Sequence, residues 1–265
     1  MSQKKKIHFY YSYPGNKYNE MECIYPSLNL DGVLNIVEPY AGGCGFSFAI
    51  WEKNKDKNLT YFINDLNPAL FQFYQIASNE ELQKEIEKNM HTWVDLIMEQ
   101  NDVEERRKIY NGIKNLDTIS SLLFINRYYC IRPGLFPQNL KTFNKFYFDK
   151  MPIHHFFKNA NVVATNVDGN AIFEKYKNDR QSLIFIDPPY LDSNNAFYCS
   201  VKGTNIYEKF WREKLGEYAA GIYMVLEKNY ITEALFGEYQ IHSYAKRYLM
   251  KGGRETVHAV YSNRR

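Results

Sequence analysis

The apolar run Ser182–Ile186 (SLIFI) passes without a break into Asp187-Pro188-Pro189-Tyr190. Such a run reads as a buried strand, and two prolines cannot continue its hydrogen-bond ladder. The backbone must therefore leave a sheet here in a rigid extended turn. That turn sets the Asp187 carboxylate beside the Pro188 carbonyl, with the Tyr190 ring beyond them.

The rest of the chain supplies the sheet. Residues 33–40 (VLNIVEPY) break into Ala41-Gly42-Gly43-Cys44-Gly45 and resume at residues 46–51, which is a strand, a glycine turn and a helix start. Residues 60–66 (TYFINDL) form a second strand, and Asn67-Pro68 opens a helix after it. Residues 161–167 and 182–186 are strand-like, residues 207–220 helical, and residues 221–226, 240–244 and 256–261 closing strands. Strands alternating with helices predict an open, largely parallel α/β sheet whose ligand lies at the carboxyl ends of the strands. Residues 79–116 are charged and helically periodic and contribute no obvious chemistry.

Composition matters mainly through its distribution. The net charge of the 265 residues is only +3, with 45% apolar and 24% charged residues, which is ordinary for a globular chain. Residues 118–167, however, hold Arg127, Arg132, Lys141, Lys145, Lys150 and Lys158 against the single acid Asp149. Tyr128, Tyr129, Phe136, Phe143, Phe146, Tyr147 and Phe148 are interleaved with them. Such a segment is the footprint of phosphate contact plus base stacking, or else a solvated basic face. Four scattered cysteines without a secretory signal read as reduced thiols in an intracellular protein, and no apolar run is long enough to span a membrane.

The turn after residue 186 carries the sharpest chemistry. An amino group on a nucleic-acid base is a poor nucleophile, because its lone pair is delocalised into the ring. Two acceptors that take its two N–H bonds favour a pyramidal nitrogen, and they stabilise positive charge as it attacks. The glycine turn Glu38-Pro39-Tyr40-Ala41-Gly42-Gly43-Cys44-Gly45 lets backbone approach a ligand closely, but it has neither the dinucleotide spacing nor a phosphate-loop lysine. Asp65 ends the next strand, where an acid suits the hydroxyls of a ribose; a helix cap by Asp65 or Asn67 is the alternative. Tyr13-Pro14-Gly15-Asn16-Lys17 reads as a turn followed by a lysine that reaches an anionic group, or as a surface loop. His154-His155, taken as strand residues, point to opposite faces, so no metal site is expected.

In this order the segments resemble the DNA adenine-N6 methyltransferases of the Dam type over nearly the whole chain. The resemblance implies a Rossmann-like methyltransferase sheet with an inserted, mainly helical DNA-recognition subdomain. Residues 1–78 and 160–265 would form the catalytic domain and residues 79–159 the insert. It implies S-adenosylmethionine as methyl donor, with Tyr13, Gly15, Asn16, Lys17, Glu38, Tyr40, Gly42, Gly43, Gly45, Asp65, Asp168, Gly169 and Asp187 at the cofactor. Asp187, Pro188, Pro189 and Tyr190 would be catalytic, acting on an adenine flipped from double-stranded DNA. Phe124-Ile125-Asn126-Arg127-Tyr128 is similar to the stretch that leads into the family's DNA-contacting loop. Asn126, Arg127, Tyr128, Arg132, Lys141, Asn144 and Lys145 are accordingly expected at the DNA. A cognate restriction endonuclease is the further partner implied, with a monomer or weak dimer as the assembly.

The sequence departs from the family in two places. The loop at Tyr129-Cys130-Ile131-Arg132-Pro133-Gly134 lacks the usual glycine-aromatic pattern, so the recognition sequence does not carry over. Gly169 stands where the family often has an aromatic, which passes one wall of the adenine pocket to another residue, Ile172 or Phe173. Cytosine-N4 methylation uses the same chemistry, and a catalytically silent DNA-binding relative is the rival of a different class.

Overall fold

The computed structural model describes residues 16–128, 143–188, 206–247 and 255–264. Tyr13, Gly15, Arg132, Lys141, Pro189 and Tyr190 lie outside the described residues. After a 3-10 turn at Lys17–Glu20 come α1 (Met21–Ile24), β1 (Asn35–Glu38), α2 (Gly45–Lys53), β2 (Thr60–Asn64) and α3 (Pro68–Ala77). Four helices follow, α4 (Glu80–Met98), α5 (Val103–Lys114), α6 (Ile119–Tyr128) and α7 (Pro152–Asn159). The chain then runs through β3 (Asn161–Thr165), α8 (Gly169–Tyr176), β4 (Ser182–Ile186), α9 (Ile206–Arg212), β5 (Gly221–Glu227), α10 (Tyr230–Phe236), β6 (Gln240–Arg247) and β7 (Glu255–Ser262). The described residues divide into two compact units, one within Gln72–Asn159 and the other within Asn16–Phe71 and Ala160–Arg265.

The second unit is built on a seven-stranded sheet in the order β3-β2-β1-β4-β5-β7-β6. The first five strands in that order run parallel, and β7 is antiparallel to both β5 and β6. This is the open, largely parallel sheet expected from the alternation. Every residue of β4 is buried, as a central parallel strand covered on both faces must be. Val37, Ile184, Ile186, Ile222 and Met224 pack with Phe173, Phe210 and Tyr261 in one apolar cluster. Phe46 and Phe185 stack at 3.7 Å between ring centroids. The strand order reverses between β1 and β4, and in sheets of this kind the crevice for a ligand opens there, beyond the carboxyl ends.

In the other unit α4 buries Ile86, Met90, Val94 and Ile97. In the segment expected as a basic, base-stacking footprint, several of the described aromatics are core, while Lys145, Lys150 and Lys158 are exposed. Phe143, Phe146 and Phe148 are buried, and Phe143 stacks parallel to Phe124. The Phe148 N–H donates to Glu87 Oε1 at 2.6 Å, and His91 Nε2 lies 2.5 Å from the Phe146 carbonyl oxygen, so the segment is tied to α4. His154 and His155 are helical, not strand residues: Pro152 opens α7, its fixed φ suiting the first turn of a helix. The helix expected over residues 207–220 stops at Arg212, because Lys214 is extended and a short 3-10 turn, Leu215–Glu217, follows. Among the described residues no helix is long and apolar enough to cross a membrane.

Candidate active site

Three parallel strands are tied together at their carboxyl ends by one side chain. Asn64, the fully buried last residue of β2, donates from Nδ2 to the carbonyl oxygens of Pro39 and Val167, both at 2.9 Å. Its Oδ1 accepts from Thr165 Oγ1 at 2.8 Å and from the Val167 N–H at 3.0 Å. All four hydrogen-bonding positions of a primary amide are thereby used. The residues that follow β1, β2 and β3 are held in fixed relation.

The glycine turn is shaped by that framework. Gly42 has φ +51° and Cys44 φ +56°, so the chain passes twice through the left-handed region before α2 begins. Asp65 holds the turn: its Oδ2 accepts the Gly42 N–H at 3.0 Å, and its Oδ1 accepts the Asn67 N–H at 2.9 Å. Burial pushes the Asp65 carboxyl above its ordinary range, and the two N–H donors pull it back. Asn67 itself accepts the Ala69 N–H at the start of α3. Capping of α3 therefore falls to Asn67, and Asp65 braces the turn.

Glu38, the buried last residue of β1, accepts the Ser47 N–H at 2.9 Å and so caps α2, whose own N-cap residue Cys44 makes no side-chain cap. Burial pushes the Glu38 carboxyl up to about 8, against the hydrogen bond from the Ser47 N–H, and the charge of Asp187 adds to the rise. At neutral pH this group is mostly protonated.

Asp187 stands directly after β4, where the sequence places it. The Lys17 ammonium lies 2.5 Å from its Oδ2. Burial lowers the proton affinity of Lys17, but Asp187 and Glu20 outweigh it and hold the ammonium charged well above the ordinary lysine range. Burial raises the Asp187 carboxyl, and Lys17 counteracts this only in part.

Tyr40 and Asn16 complete the rim. A Cβ on Gly169 would lie 2.6–3.0 Å from the Tyr40 ring, so the space left by glycine at this position is filled by Tyr40. Ile172 and Phe173, the expected substitutes, are buried in the core cluster against which Tyr40 packs, with Phe173 edge-on to Phe210 and Tyr218. Asp168 caps α8, accepting the Asn170 N–H at 2.7 Å. Asn16 accepts the Tyr18 N–H at 2.9 Å, and its carboxamide occupies the place a Cβ on Gly45 would take. The Tyr40 hydroxyl and Asn16 Nδ2 are buried without a hydrogen-bond partner among the described residues. Buried donors in this state fit a polar ligand that supplies acceptors.

The residues expected at the cofactor and described here thus gather at the ends of β1, β2, β3 and β4. The described residues expected at DNA lie in the other unit. Asn126 and Tyr128 belong to α6, and the Arg127 guanidinium lies 4.5 Å from the Phe146 ring centroid and 3.9 Å from Met151 Sδ. Asn144 is exposed, and Lys145 pairs with Asp95 at 2.8 Å. Sequence reading missed Glu20, which lies one helical turn after Lys17. It also missed Tyr244 and Lys246, although their alternation along β6 puts them on one face.

A family model described as D12 class N6 adenine-specific DNA methyltransferase matches residues 13–250. A search of curated proteins returns no match. The matched span contains Asn16, Lys17, Glu38, Tyr40, Gly42, Asp65, Asp168 and Asp187, and it ends before His258.

Proposed function

Since the chain belongs to the D12 class N6 adenine-specific DNA methyltransferase family, we propose that it transfers a methyl group from S-adenosylmethionine directly to N6 of an adenine flipped out of duplex DNA. The sheet of the second unit is the Rossmann-like methyltransferase sheet of such enzymes. The observation that carries the reading is the Asp187 carboxylate at the exit of buried β4, at the switch point of the sheet and hydrogen-bonded to Lys17.

The rim residues fit the methyl donor. Asp65 has lone pairs beyond the two N–H groups it already accepts, which suits a ribose diol. Asn16 Nδ2 and the Tyr40 hydroxyl are buried donors in want of acceptors, and the turn at Gly42 admits a ligand close to backbone. When bound, S-adenosylmethionine supplies an electrophilic methyl group on a sulfonium.

Asp187 accepts one N–H of the adenine amino group and the Pro188 carbonyl the other, turning the lone pair toward the methyl. The carboxylate then offsets the positive charge on nitrogen until a proton leaves. Burial raises the Asp187 carboxyl, and Lys17 opposes that rise by favouring the ionised form that this work needs. Extruding the base costs a few kcal/mol, offset by stacking on Tyr190 and by phosphate contacts from the basic unit.

The test is to incubate pure protein with unmethylated plasmid and methyl-labelled S-adenosylmethionine, then digest the DNA to nucleosides. Label is expected in N6-methyladenine. Label confined to N4-methylcytosine overturns the target base, and donor binding without label in any DNA overturns catalysis.

A further inference from the structure

Behind the Lys17–Asp187 pair lies a second buried carboxylate that the proposed reaction does not use. Glu20 is 7% exposed and sits 3.9 Å from the Lys17 ammonium. It receives Lys246 Nζ at 2.6 Å and the Tyr244 hydroxyl at 2.7 Å, both from β6. From β7, His258 Nδ1 stands 3.1 Å from its Oε2. Tyr244 and His258 are directly opposite in the β6–β7 ladder, with rings 5.7 Å apart.

The cluster therefore runs Asp187, Lys17, Glu20, Lys246, with carboxylates and ammoniums alternating. Charge is balanced when His258 is neutral. Buried charges persist only when paired, so each member fixes its neighbour. Among the described residues, two carboxylates claim Lys17: Asp187 in hydrogen-bond contact and Glu20 at ion-pair distance. Its pull on Asp187 depends on how much of its field Glu20 takes up, and that depends in turn on Lys246.

We propose that Glu20 is a positioning residue: it divides the Lys17 ammonium between itself and the Asp187 carboxylate, so the β6–β7 hairpin sets how tightly the reacting carboxylate is held. A carboxylate fully claimed by Lys17 is a poor acceptor for a substrate N–H. One too loosely claimed is protonated in its buried setting. Glu20 holds the balance between these states. Among the described residues, Lys17, Glu20 and Lys246 bear on Asp187, and the charge of Asp187 in turn raises Glu38 at the end of β1. Tyr244 and His258 act on Glu20 from the hairpin.

This assignment rests on the methyltransferase reading, and its test separates the two. Methyl transfer by the full chain is measured against pH for wild type, Glu20→Gln, Lys246→Met and the double variant. Thermal melts show which of them fold. Glu20 raises the Asp187 carboxyl and Lys246 lowers it, so the acid limb should move in opposite directions. Glu20→Gln is expected to shift it to lower pH, Lys246→Met to higher pH, and the double variant back toward wild type. Glu20→Gln should also lower kcat about tenfold, as misplacement of a reacting group does, with KM for S-adenosylmethionine within about twofold.

Limbs that stay put, or that move the same way in both single variants, overturn the role of Glu20. Where Glu20→Gln does not fold, the charge-balanced double variant decides against Lys246→Met. It must bring the limb back down, and coincident profiles overturn the proposal. Wild type that labels no DNA overturns the methyltransferase reading instead.

Discussion

The Gly42 N–H donates to Oδ2 of Asp65 across 3.0 Å, so the acid at the end of β2 shapes the glycine turn after β1. The proposed ligand role and an observed structural role thus meet in one side chain. Asp65→Ala should weaken S-adenosylmethionine binding at least tenfold. It should also cost about 1–3 kcal/mol of stability through the two N–H groups left unpaired. Calorimetric titration and urea unfolding measure the two effects separately. Unaltered affinity in a destabilised variant would leave Asp65 a structural brace only.

Asp187→Ala removes the proposed acceptor for the substrate amino group. Single-turnover methylation is expected to fall by about 10²–10³ or more, the scale of losing one aligned electrostatic partner. DNA affinity, read by fluorescence anisotropy, should stay within a few-fold of wild type. Transfer at an undiminished rate would remove Asp187 from the chemistry.

Glu38 gives the fold a pH signature. Its folded carboxyl titrates near 8, far above its unfolded value, so the folded chain keeps a proton that the unfolded chain has released. The resulting stabilisation is full below the ordinary carboxylate range and is lost as pH rises through about 8. Glu38→Gln keeps the shape of the protonated group and its acceptor for Ser47. Melts from about pH 5 to about pH 9 should therefore show wild type losing stability relative to the variant as pH rises. A gap independent of pH would mean that Glu38 ionises at its usual value.

Asn64→Ala deletes the bonds to Pro39, Thr165 and Val167 and strands buried backbone groups at the ends of β1 and β3. A loss of about 3 kcal/mol or more is expected in urea unfolding. A loss under about 1 kcal/mol would show that the strand ends hold without this side chain.

Arg127 separates packing from recognition. Its guanidinium lies over the Phe146 ring, a contact on the order of 1 kcal/mol. Arg127→Ala should destabilise by about that amount. If the residue also meets a phosphate, the salt slope of DNA binding should fall by about one. An unchanged slope would confine Arg127 to its own unit.

The strand-end motifs were legible because their signals are local. Apolar runs stop at Glu38, Asp65 and Asp187, and each stop places an acid at the same end of the sheet. Gly169 was legible as a departure from the family, but the Tyr40 ring that fills its space was not, because nothing in sequence ties Tyr40 to a position so far along the chain. The buried aromatics Phe143, Phe146 and Phe148 share their composition with a stacking surface, and burial alone distinguishes the two. Pro152 marked a helix start that the adjacent histidines obscured. Glu20 stayed hidden because its partners come from the last hairpin, and a lone acid in a short turn carries no periodic signal.

Two pairs in the buried charge cluster are far apart in the chain: 170 residues separate Lys17 from Asp187, and 226 separate Glu20 from Lys246. Closing loops of that length comes late in folding. During translation, a nascent chain that has released β4 but not yet β6 carries every strand-end motif, yet Glu20 still lacks Lys246. Order of synthesis thus leaves the charge balance around Asp187 to β6, and the buried cluster closes only once that strand has been made.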